Sequence, residues 1–171
     1  MTIEAGQVLP ELAIDVTTTF VVASAIATRD FQDVHHDRDR AIARGSQDIF
    51  LNILTTTGLV QRYVTEWAGP EAIVRKIAIR LGVPCYAGDT LTFSGTVLAK
   101  DAEAVLAGAA EVAGAAGAPA AGPGGDCVVQ VVGRCRLGDH VTGTVRLAAG
   151  GAGAGPDPDG VPGAERAGEA R

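Results

Sequence analysis

One apolar segment, from about Ser46 to Trp67, constrains the fold more than any other part of the chain. Ile49, Phe50, Ile53, Leu54, Val60, Tyr63, Val64 and Trp67 recur at steps of three and four residues, the spacing that places side chains on one face of a helix. Thr55, Thr56, Thr57 and Gly58 lie in its middle and weaken its intrinsic helix propensity. A helix with so little local support forms only where tertiary burial holds it. Ser46 is placed to cap its start, Asp48 to meet the dipole there, and Gly69-Pro70 to end it.

Downstream of this helix the pattern is that of strands. Ala72 to Leu81 alternates in part, Val83-Pro84 bends the chain, and Gly88-Asp89 turns it into Thr90 to Leu98. Cys127 to Leu137 alternates, Gly138-Asp139 suits a hairpin turn, and Val141 to Leu147 returns. Upstream, the Thr- and Val-rich run Val16 to Val22 predicts a first strand, with short helices over Ala23 to Phe31 and Arg38 to Ala43. One strand, a helical region and four strands predict an α+β domain. Its antiparallel sheet would curl around one long buried helix, the hot-dog arrangement.

Two segments stand apart by composition. Ala102 to Gly125 is mostly Ala and Gly, and Ala148 to Arg171 is rich in Gly, Ala, Pro and charge. Neither has the bulky side chains that offset ordering entropy, so both are expected to be flexible, one as an insert in a hairpin and one as a tail. A single domain over residues 1–147 remains. A formal charge of −6 argues against a nucleic-acid or acidic-membrane partner. No apolar run approaches a membrane span, and Met1-Thr2-Ile3-Glu4 lacks a signal-peptide pattern. Cys85, Cys127 and Cys135 form an odd set without C-x-x-C spacing. They suggest neither a disulfide framework nor a zinc site, and a cytoplasmic setting is expected.

The candidate site is Asp30-Phe31-Gln32-Asp33-Val34-His35-His36-Asp37. A carboxylate and an imidazole five residues apart, Asp30 and His35, on a tight link between structured elements can hold one water for acid–base chemistry. His36 reads as an exposed loop residue and Asp37 as the cap of the helix that starts at Arg38. Adjacent histidines point apart, so His35-His36-Asp37 is not expected to hold a metal. His140 reads as a solvated strand-end histidine, Cys85 as a packing thiol, and Arg75 and Arg80 as a charged sheet face.

The link resembles the D-x-N-P-L-H-x-D motif of the MaoC-like, (R)-specific enoyl-CoA hydratase family, with Gln32 in place of Asn and Asp33 in place of Pro. Asp48 to Leu54 loosely matches the family's P-I-A-H-G-M, which starts the central helix. Val64-Thr-Glu-Trp-Ala-Gly69 and Val83 to Leu91 resemble its V-T-D-W-x-G and P-V-x-x-G-D-T-L. The likeness runs from about Val8 to Leu147, the insert excepted. Three phrases, A-T-R-D-F-Q-D-V-H-H-D, G-L-V-Q-R-Y-V-T and L-G-D-H-V-T, look like the small catalytic subunit of the heteromeric hydratases of actinobacterial steroid side-chain degradation.

That resemblance implies Asp30 and His35 as a catalytic pair holding the water that adds across the 2,3 double bond of an enoyl-CoA. It implies a backbone N–H at Ile53, where the family has glycine, as the donor to the thioester oxygen, with the neighbouring Asn52 at the substrate. It further implies a heterotetramer with a MaoC-like partner carrying a DUF35/OB-type domain, and no cofactor beyond the CoA of the substrate. Three other readings remain open on sequence: a stand-alone homodimeric hydratase for short acyl chains, a hot-dog acyl-CoA thioesterase, and a structural subunit without chemistry. For a thioesterase the central helix offers only Asp48 and Glu66 as carboxylates.

Overall fold

The computed structural model describes residues 3–100 and 126–148, so the insert and all of the tail except Ala148 lie outside the described residues. Five strands, β1 (Val8–Asp15), β2 (Ile73–Leu81), β3 (Thr90–Lys100), β4 (Asp126–Cys135) and β5 (Gly138–Ala148), form one sheet in the order β1-β3-β4-β5-β2. Every pairing is antiparallel. Between β1 and β2 come α1 (Thr18–Ala27), a 3₁₀ turn (Asp33–His35), α2 (Arg38–Ala43) and the long α3 (Ile53–Ala68).

Helix α3 buries Thr55, Thr56, Leu59, Val60, Tyr63 and Val64, and this stripe rather than propensity holds it. Val60 and Val64 are fully buried, and each such side chain contributes about 1.5–3 kcal/mol. Tyr63 stacks on Phe93 with ring centroids 5.6 Å apart. A Cβ at Gly95 would sit 3.1 Å from the Tyr63 ring, and one at Gly133 would sit 2.9 Å from Phe93. The two strand glycines therefore make the room that the aromatic pair fills.

The sequence pattern differs from the structure at three places. The run expected as a first strand is mostly α1: Thr17 caps it through a hydrogen bond from the Phe20 N–H to the Thr17 hydroxyl, and Val21 and Ala25 bury one face. The true first strand lies earlier, over Val8–Asp15. β-Branched residues favour strands only weakly, and an i, i+4 buried pair outweighs that preference.

The central helix also starts later than its apolar spacing suggests. Asn52, not Ser46, is the N-cap, and its side chain accepts from the Thr55 N–H at 2.7 Å. Residues 49–51 are extended and dock on the bend after β2: Leu51 N–H donates to Cys85 O, Ala87 N–H donates to Ile49 O, and Phe50 bridges Tyr86. The last turn likewise moves. The tight turn is Arg136-Leu137, and Gly138 opens β5 with φ 125°, a conformation glycine adopts without cost.

Candidate active site

The α1 helix ends in a Schellman motif that delivers Asp30. The Arg29 N–H donates to Ile26 O at 3.0 Å and the Asp30 N–H to Ala25 O at 2.9 Å, with Arg29 in the left-handed region at φ 56°. Glycine normally takes that position. An arginine there stores strain immediately before the carboxylate.

Two residues past Asp30 the chain enters the 3₁₀ turn that carries His35. Asp33, at its start, bridges Arg40 and Arg44, and Asp37 caps α2 by accepting from the Arg40 N–H at 3.1 Å. The turn brings His35 Nε2 to 3.5 Å from Asp30 Oδ2, with the imidazole 7% and the carboxylate 17% exposed. His35 Nδ1 lies 2.8 Å from the Phe50 carbonyl. A carbonyl only accepts, so Nδ1 carries a proton, and in the neutral form of the ring Nε2 faces Asp30 as an acceptor. The Phe50 ring meets the imidazole edge-on at 4.9 Å.

Two acceptors facing one point can each take one hydrogen of a single water. A water beside the pair would donate to both and present its lone pair outward. Three residues beyond Phe50, whose carbonyl binds His35, is the N-terminus of α3. Asn52 occupies the Thr55 N–H, whereas the Ile53 and Leu54 N–H groups have no acceptor among the described residues. Free N–H groups at a helix start, with the dipole behind them, suit a developing oxyanion.

Asn52 itself is 3% exposed, and its amide is engaged inside the fold on both sides: Oδ1 accepts from Thr55 and Nδ2 donates to the Thr28 hydroxyl at 2.8 Å. His36 is exposed, as expected, with Nε2 3.1 Å from the Phe31 carbonyl. His140 is not solvated. It is 2% exposed, with Nδ1 donating to Val83 O at 2.8 Å and Nε2 2.9 Å from the Thr56 hydroxyl. Burial pushes its pKa below the usual histidine value, so the ring is neutral and accepts from Thr56. Sequence spacing gave no signal for this contact.

Arg75 lies 3.9 Å from the buried Asp126, while Arg80 is exposed on β2. Cys85, Asp89 and Cys135 place one ligand-type atom each within 4.8 Å of one another. Burial pushes the Cys85 thiol far up, and Asp89 already accepts from Arg136 Nε at 3.0 Å and from the Tyr86 N–H at 3.2 Å. That cluster has the character of core packing around an ion pair. An apolar cavity of about 320 Å³ is lined by residues including Phe50 (whose carbonyl binds His35), Leu81, Pro84, Tyr86 and His140. Among the described residues no helix is long and apolar enough to cross a membrane.

No family model matches the chain. It is 56% identical over 142 residues, 83% of its length and 93% of the other, to the 3-oxo-4,17-pregnadiene-20-carboxyl-CoA hydratase beta subunit of Mycobacterium tuberculosis. The chain is a MaoC-like hydratase. A crystal structure of the ChsH1-ChsH2 complex from Mycobacterium tuberculosis contains a chain that this MaoC-like hydratase matches with a TM-score of 0.70 and 54% identity, covering 87% of one and 99% of the other. The (R)-hydratase from A. caviae involved in PHA biosynthesis shares the fold at 18% identity and a TM-score of 0.68, covering 85% and 96%. A hot-dog fold with its sheet around a central helix is therefore shared across MaoC-like hydratases of very different sequence.

Proposed function

We propose that this chain is the dyad-bearing subunit of a heteromeric enoyl-CoA hydratase whose substrate is a steroid side-chain 2-enoyl-CoA. The observation that carries the reading is the convergence of Asp30 and His35, 3.5 Å apart, with His35 bound to the carbonyl of Phe50 three residues before α3 begins. The 56% identity to a beta subunit that acts on a pregnadiene carboxyl-CoA supports the substrate class. The likeness to a chain of a two-protein complex supports a second, different subunit as partner; we take that partner to be MaoC-like and the assembly to be a heterotetramer.

In this mechanism Asp30 and His35 hold the water by its two hydrogens. Its oxygen forms a bond to C3 as the 2,3 π bond opens, and one dyad member takes a proton from it. The electron pair moves onto the thioester oxygen, where the Ile53 N–H stabilises it, and the proton is returned at C2. Water is consumed whole, so the addition calls for no redox partner or cofactor beyond the CoA already on the substrate. Three free thiols suit a reducing cytoplasm.

The test is loss of enoyl-thioester absorbance with the partner subunit present. Asp30→Asn and His35→Ala are each expected to lower kcat by about 10²–10⁴-fold, the usual worth of a positioned acid or base. Unchanged turnover in both variants would overturn the reading. Release of free CoA thiol in place of enoyl loss would make the protein a thioesterase.

A further inference from the structure

We propose that Thr28 and Asn52 are positioning residues for Asp30, joined in a buried strut that sets where the carboxylate stands. The proposal rests on Asp30 and His35 being the catalytic pair. His35 has its own anchor in the Phe50 carbonyl, whereas among the described residues Asp30 makes no side-chain bond to any other element except the 3.5 Å approach to His35. Its other side-chain hydrogen bond among the described residues is local, from the Gln32 N–H at 3.3 Å. The position of Asp30 is therefore inherited from the backbone turn at the end of α1.

That turn is tied down at one residue. Thr28, the C-cap of α1, donates its hydroxyl to Ser24 O at 2.7 Å and accepts from Asn52 Nδ2 at 2.8 Å. The assignment has no freedom in it. Asn52 Oδ1 faces a backbone N–H and so must be the oxygen, which leaves the NH₂ toward Thr28. Asn52 in turn is held from behind, because the Thr56 side chain one turn into α3 is fixed by the neutral His140 on β5. The line His140–Thr56–α3–Asn52–Thr28 runs from the sheet to the residue two before Asp30.

The strut also explains why the entry to α3 carries so much of the site. Phe50 orients the imidazole, Asn52 anchors the carboxylate's turn, and Ile53 offers the oxyanion donor. All three belong to one rigid segment. A shift of the α1 turn relative to α3 would change the Asp30–His35 separation and the aim of both at one water, and misplacement on the scale of 1 Å costs about 10²-fold in rate.

The experiment uses the assembled complex and two variants that preserve folding. Thr28→Val keeps the shape and removes the hydroxyl. Asn52→Ser keeps an N-cap oxygen but cannot reach Thr28. Each is expected to lower kcat by about 10–100-fold with KM changed less than threefold. Thr28→Ser is expected to restore kcat, and the double variant to be no slower than the worse single, because both remove one bond. If kcat is kept in Asn52→Ser while Asp30→Asn abolishes turnover, the strut is wrong and the dyad stands. If Asp30→Asn is itself active, the dyad reading falls first. Should Thr28→Val fail to assemble, Asn52→Ser with its kcat and KM decides alone.

Discussion

The Phe50 carbonyl stands 2.8 Å from His35 Nδ1 and thereby selects which ring nitrogen faces Asp30. The neutral imidazole has one proton, and that bond places it on Nδ1. In ¹⁵N-labelled protein with His35 neutral, its Nδ1 is expected to show the shift of a protonated ring nitrogen and its Nε2 that of a bare one. The opposite tautomer would mean that Nε2 donates to Asp30, and the two-acceptor water site would not exist.

Arg29 holds a backbone conformation that costs an L residue about 1–2 kcal/mol. Arg29→Gly removes that cost and gives back about 0.4–1 kcal/mol through a freer unfolded chain. Urea unfolding is expected to show a net gain of up to about 1 kcal/mol. A clear loss would indicate that the Arg29 side chain stabilises the turn.

His140 gives stability an acid limb. Burial lowers its pKa in the folded protein, so below about pH 6.5 the unfolded chain binds a proton that the native ring does not. This contribution is full above the unfolded value and lost as pH falls toward the folded one. Thermal midpoints from pH 7.5 down to pH 5 are expected to fall more steeply in the wild type than in His140→Gln. Equal slopes would mean that the ring is solvated after all.

Tyr63 presents the opposite case. Its hydroxyl is buried with no partner among the described residues, and burial, with Glu11 nearby, pushes its pKa up to about 12. Above pH 10 the unfolded phenol ionises while the native one does not, so stability declines as pH rises through this range. An unmade hydrogen bond on a buried group is costly, and Tyr63→Phe removes the group. The variant is expected to gain up to about 1 kcal/mol at neutral pH and to lose part of the alkaline decline. A loss of 1 kcal/mol or more would require an acceptor for that hydroxyl.

The pairing of Asp30 with His35 and the strands after α3 are legible in the sequence because both are local. Asp30 and His35 sit five apart on one link, and each strand from Ile73 onward alternates within its own span. What escaped it depends on distant partners. The start of α3 was hidden because Ile49 and Phe50 continue the helical spacing, yet their backbone pairs with residues 85–87. His140 reads as a surface residue until Val83, 57 positions away, and Thr56, 84 away, close around it. The α1 helix was misread for a different reason, since its Thr and Val residues favour a strand until Val21 and Ala25 find a face to bury.

Strand β3 ends at Lys100 and β4 begins at Asp126. His140, which anchors the strut, lies beside the opposite end of β4, where Cys135 pairs with Gly138. The ten residues of β4 separate the two ends by roughly 30 Å. A change in the length of the β3–β4 connection therefore meets the sheet far from the end that holds His140.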